Sequence, residues 1–151
     1  MGLAAGRKAP EFEAQDQHGT THTLGALLEN GPVVLFFYPK AMTTGCTAES
    51  CHFRDLAGEF AAVGAQRIGI SADSVEKQKQ FDDKHDLGYP LLSDDDKTIA
   101  EAYGVKRRWM PSMSKRQTFV IGTDGVLLDV IASETNMEAH ADQALDLLKA
   151  A

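Results

Sequence analysis

Val33-Val34-Leu35-Phe36-Phe37-Tyr38, then Pro39-Lys40-Ala41-Met42-Thr43-Thr44-Gly45-Cys46-Thr47-Ala48-Glu49-Ser50-Cys51, is the stretch that decides the fold. The apolar run after Gly31-Pro32 has the character of a strand covered on both faces. Beyond the loop, Phe53, Leu56, Phe60 and Val63 recur at helical spacing and predict one helix over about 44–63. A buried strand therefore feeds, through a short loop, into a helix with a cysteine at its start. Both cysteines of the chain lie in this segment.

The rest of the chain alternates in the same way. Residues 66–71 form a second strand and 74–85 a helix with Ser74 as N-cap. A short helix over 96–103 closes at Gly104. Strands at 117–121 and 126–131 are joined through Thr123-Asp124-Gly125, a hairpin signal, and 138–150 is an amphipathic helix. Phe12 and the Gln17-His18-Gly19-Thr20 turn indicate a small N-terminal hairpin. This order predicts an α/β protein, residues 1–151 forming one domain, with a mixed central sheet and helices on both faces. It resembles the thioredoxin-like fold.

Fifteen basic against 22 acidic residues give a net charge of −7, which disfavours nucleic acid and anionic membranes as partners. No long apolar span is present, and residues 1–10 lack the apolar core of a secretory signal. A cytoplasmic protein is expected, in a reducing compartment where a cysteine pair is more often catalytic or metal-binding than structural. A zinc site would want two close-spaced ligand pairs, so a nucleophilic thiol with a partner thiol fits better.

Cys46 in the first helical turn meets unpaired backbone N–H groups and the positive end of the helix dipole, and both favour a thiolate. On a helical wheel Cys46 lies roughly 60° from the core face and Cys51 roughly 160° from it, which predicts Cys46 inward and Cys51 toward solvent. Helical residues five apart have Cα atoms about 8–9 Å apart. A disulfide needs them within roughly 7 Å, so the two thiols cannot pair while this helix is formed. Thr43 is either the N-cap or a hydroxyl beside the thiolate that binds an oxygen-bearing substrate. Pro39 either ends the strand or shields the thiolate from water. Glu49 suits the helix dipole but opposes ionisation of Cys46 unless a cation pairs with it. Gly45 permits close backbone approach, and His52 is expected as a solvated helix histidine. Arg116, opening the strand at 117–121, is the expected cation, with Arg107 and Arg108 as rivals.

Pro39-x-x-x-Thr43-x-x-Cys46 together with the Arg116-Gln-Thr-Phe-Val-Ile strand resembles the peroxiredoxins. Tyr38 to Asp55, with Ala9-Pro10-Glu11-Phe12 and Ser71-Ala72-Asp73-Ser74, resembles the Q-type subgroup, also called bacterioferritin comigratory proteins. Thr44, where the subgroup commonly has Pro, and Gly122, where Asp is frequent, depart from it. The resemblance implies a thiol-dependent peroxidase for hydrogen peroxide and organic hydroperoxides, serving antioxidant defence. It makes Cys46 the peroxidatic nucleophile and Cys51 the resolving thiol in a Cys46–Cys51 disulfide, with Thr43, Arg116 and Pro39 shaping the site. Thr43, Cys46 and Arg116, with Glu49 as a further candidate, would bind substrate. It also implies a thioredoxin-type reductant, a monomer, and no metal, haem or flavin. Two rivals remain: a general thiol–disulfide oxidoreductase, normally with C-x-x-C, and a non-enzymatic redox sensor.

Overall fold

The computed structural model describes residues 3–106 and 115–150. The chain opens with β1 (Glu13–Gln15) and β2 (Thr21–Thr23), a hairpin, then α1 (Leu24–Leu28). β3 (Val33–Phe37) leads into α2 (Thr44–Asp55) and α3 (Ala57–Ala62). β4 (Gln66–Ser71), α4 (Val75–His85), β5 (Leu91–Ser93) and α5 (Thr98–Ala102) follow. β6 (Gln117–Ile121), β7 (Leu127–Ala132) and α6 (Met137–Ala150) complete it. The strands form one seven-stranded mixed sheet in the order β2-β1-β5-β4-β3-β6-β7.

β3 is central, parallel to β4 and antiparallel to β6. Its side chains alternate between two cores. Val33, Leu35 and Phe37 join Leu24, Leu27, Tyr103 and Phe119 on one face. Val34 and Phe36, with Tyr38 beyond, join Phe53, Phe60, Phe81 and Leu145 on the other. This two-sided burial explains the unbroken apolar run. The expected mixed sheet with helices on both faces, in the thioredoxin-like manner, is what the chain forms.

Several boundaries differ from expectation. The predicted helix over 44–63 is divided at Leu56 (φ −94°, ψ 18°) into α2 and α3. The carbonyl of Phe53 is taken by Arg67 Nη1 at 3.0 Å, so a side chain enters the helical ladder there. Periodicity survives the break, because the Phe53 and Phe60 rings still stack at 5.8 Å. α5 starts at Thr98 rather than 96, after Lys97 in a left-handed conformation (φ +62°). α1 and β5, each too short to carry a periodic signal, were not expected. Ser74 caps α4, its hydroxyl accepting the Lys77 N–H at 3.2 Å, and Gly125 turns the β6–β7 hairpin with φ +81°. Among the described residues no helix is long and apolar enough to cross a membrane.

Candidate active site

Register brings the site together. Phe37 pairs with Gln117 across the antiparallel β3–β6 ladder, so Arg116 enters the sheet beside the point where Tyr38 leaves it. The loop from Pro39 then returns the chain into α2 with Cys46 in its first turn. The guanidinium of Arg116 reaches both elements: Nη2 donates to Cys46 Sγ at 3.3 Å and Nη1 donates to Glu49 Oε1 at 2.6 Å. Cys46 and Glu49 are fully buried and Arg116 is 5% exposed. A Cβ on Gly45 would sit 3.2 Å from Arg116 Nη2 and 3.0 Å from Met137 Cε, so a side chain there would crowd the cation.

The return loop is held from below. Asp73 Oδ2 accepts the Ala41 N–H at 2.7 Å and the Ser71 hydroxyl at 2.7 Å. Gln78 Nε2 donates to Ser71 Oγ at 3.0 Å and to the Leu92 carbonyl at 2.8 Å, while its Oε1 accepts the buried Tyr38 hydroxyl. Burial pushes the Tyr38 phenol well above its ordinary value, so this hydroxyl remains a donor. Met42 adopts φ +72°, a left-handed conformation that disfavours a residue with a side chain.

Thr43 occupies the N-cap position (φ −83°, ψ 159°), but its hydroxyl makes no capping bond. It donates instead to the Lys40 carbonyl at 2.8 Å, which leaves its lone pairs free to accept. Thr44 is the first residue of α2, the position where Pro is favoured because its missing N–H is unbonded anyway. Pro39 is buried. Cys51 is half-buried, not turned fully outward, because α2 has a second neighbour, the start of α6. It lines an open cleft of about 630 Å³ with Ala48, Thr135, Asn136 and Met137. His52 is likewise half-buried and paired rather than free in solvent: its Nε2 lies 2.7 Å from Asp142 and its Nδ1 3.8 Å from Glu138, both on α6. Cys46 and Cys51 are free thiols on an intact helix. Arg107 and Arg108, the rival cations, lie outside the described residues.

Burial raises the Glu49 carboxyl to about 8 although Arg116 opposes this, with Glu134 adding to the rise. Burial disfavours the Arg116 charge, yet Glu49 and Cys46 outweigh it and hold Arg116 above its ordinary value. His140 on α6, which carried no expectation, is fully buried beside them. Its Nε2 faces the Ser133 carbonyl at 2.8 Å and so carries the proton; its Nδ1 then accepts from Thr118 Oγ1 at 2.7 Å. Burial lowers its basicity, so the ring is neutral. Its one signal in the sequence is its place on the Ala144 and Leu148 face of α6. Among the described residues no three His, Cys, Asp or Glu side chains are grouped to hold a metal ion.

Residues 5–130 match the AhpC/TSA family. The chain is 39% identical to peroxiredoxin Bcp of Bacillus subtilis over 154 residues, covering 99% of this chain and 97% of that one. It superposes with a TM-score of 0.93 on the crystal structure of peroxidoxin BcpB from Mycobacterium tuberculosis, at 55% identity, covering 98% of this chain and 97% of that one. It also superposes on the Xanthomonas campestris bacterioferritin comigratory protein, described in terms of alkyl peroxide reduction, with a TM-score of 0.83 at 31% identity, covering 92% and 90%.

Proposed function

Because the chain belongs to the AhpC/TSA family, as a peroxiredoxin related to the Bcp and Q proteins, we propose that its peroxide reduction runs through a Cys46 sulfenic acid that Cys51 resolves. The single observation that carries this reading is Arg116 Nη2 at 3.3 Å from the buried sulfur of Cys46, at the first turn of α2. The cation and the helix start both favour a thiolate, the nucleophilic form. The peroxide oxygen is attacked along the O–O bond, the S–O bond forms as O–O breaks, and the remaining oxide leaves as water or alcohol.

Thr43 supports the reading because its hydroxyl hydrogen is already engaged, so its oxygen accepts a peroxide O–H and orients it. Arg116 stabilises the developing negative charge, and Pro39 limits water at the thiolate. Thr43→Val should slow Cys46 oxidation by about 0.5–1.5 kcal/mol, the range for a hydrogen bond between neutral groups, and Thr43→Ser by less. An unchanged rate of thiol loss in Thr43→Val would remove that role.

Resolution needs α2 to unwind from its start, after which Cys51 attacks the sulfenic sulfur, forms the disulfide and releases water. An external dithiol of the thioredoxin type then reduces the bond, in a cytoplasmic monomer. Consumption of hydrogen peroxide or an organic hydroperoxide tests the cycle. Sustained turnover with thioredoxin and its reductase is expected, and a single stoichiometric burst without them. Disulfide exchange without peroxide consumption would instead identify a general oxidoreductase. A burst that no dithiol renews would identify a sensor.

A further inference from the structure

Arg116 carries one positive charge and contacts two acids. Cys46 and Glu49 sit on adjacent nitrogens of the same guanidinium, one helical turn apart on α2, and both are fully buried. Among the described residues, the other titratable groups facing Glu49 supply no second cation. His140 Nδ1, on α6, is 3.7 Å from Glu49 Oε2, but the ring is neutral and its lone pair already accepts from Thr118. Tyr89, ahead of β5, is buried and un-ionised, its hydroxyl donating to the Ser50 carbonyl at 2.7 Å. Glu134, between β7 and α6, accepts the Arg116 backbone N–H at 3.1 Å and adds negative charge. Glu49 Oε2 is buried with no hydrogen-bond partner among the described residues, an unfavourable place for a full anionic oxygen.

Ionising both acids would leave one buried negative charge uncompensated. We propose that, in the reduced protein at neutral pH, Cys46 and Glu49 hold a single proton between them, and that peroxide reduction ends with Glu49 ionised against Arg116. Cys46 thiolate, peroxide and the Glu49 carboxylic acid become Cys46 sulfenic acid, water or alcohol, and the Glu49 carboxylate. Sulfur loses two electrons to the O–O bond, and the proton taken by the leaving oxide is matched by the one that Glu49 releases. Once the sulfur is neutral, Glu49 is the acid left on the Arg116 guanidinium among the described residues, so the carboxylate is then the favoured form. Glu49 on this view is neither a spectator of the ion pair nor a ligand of substrate; it keeps the charge of the site constant through the reaction.

This inference rests on the peroxidase reading, and proton stoichiometry separates the two. Reduced wild-type protein is mixed with one equivalent of hydrogen peroxide in weakly buffered solution at pH 7, with an indicator dye reporting protons and mass spectrometry reporting Cys46 oxidation. Net proton uptake close to zero per oxidised chain is expected. Raising the pH above about 8, where the Glu49 proton is lost beforehand, should increase uptake toward one. Glu49→Gln, which keeps an acceptor for Arg116 but holds no proton, should take up close to one at pH 7. Uptake of one proton per chain by wild-type protein at pH 7, or near-zero uptake by Glu49→Gln, would overturn the shared proton. Failure to consume peroxide at all would instead refute the peroxidase reading.

Discussion

Cys46→Ser should abolish peroxide turnover although Cys51 remains, whereas Cys51→Ser should form one sulfenic acid per chain and stop. The asymmetry follows from where α2 places the thiols. Cys46 is fully buried in the first turn with Arg116 Nη2 on its sulfur. Cys51 is half-buried five residues later at the cleft against α6, past the turn where the helix dipole acts. A serine hydroxyl is far too weak an acid to be ionised by the same surroundings, so the nucleophile is lost, not merely weakened. In Cys51→Ser the sulfenic acid has no resolving partner and should advance to sulfinic acid under excess peroxide. A dye that traps sulfenic acids and intact-protein mass spectrometry read both outcomes. Catalytic turnover by Cys46→Ser would reverse the two roles.

Arg116→Ala should slow Cys46 oxidation by about 2.7–4 kcal/mol, the range for losing one preorganised stabiliser of developing charge. Removing the cation takes the positive charge from the Cys46 sulfur, so alkylation of Cys46 should slow as well. The fold should tolerate the change, because Glu49, already raised to about 8 by burial, stays protonated when its cation is gone. Alkylation and peroxide-oxidation rates of the variant against the parent protein supply the test. Unchanged rates would pass the role to Arg107 or Arg108.

The central strand, the α2 start and the amphipathic α6 were legible because each depends on local pattern: an apolar run, a helical period, a cysteine at a helix entry. Arg116 was legible as the residue opening β6, and sheet register then carried it to Cys46. What sequence did not show depends on long-range packing. Cys51 and His52 were expected to face solvent, since a helical wheel registers one apolar face and says nothing of α6 crossing another. His140 meets Glu49 only because α6 and α2 pack together across 91 positions of chain. The Thr43 hydroxyl took the Lys40 carbonyl rather than capping α2, a choice between two local bonds that spacing alone does not decide. The split at Leu56 came from Arg67, a residue on β4 competing for the Phe53 carbonyl.

Coupling between the disulfide and the shape of α2 is open to amide hydrogen exchange, compared between the reduced and the fully disulfide-oxidised protein. Bridging Cys46 to Cys51 requires their Cα atoms within roughly 7 Å, closer than an intact helix allows. Tyr89 must give up its 2.7 Å bond to the Ser50 carbonyl. Phe53 should hold the far end, since its carbonyl is bound by Arg67 and its ring stacks 4.0 Å from Phe36. Protection should therefore fall across residues 45–52 in the oxidised protein and persist from Phe53 onward, as helix ends open more readily than a packed core. Equal protection of residues 45–52 in the two forms would contradict the unwinding on which the proposed Cys46–Cys51 cycle depends.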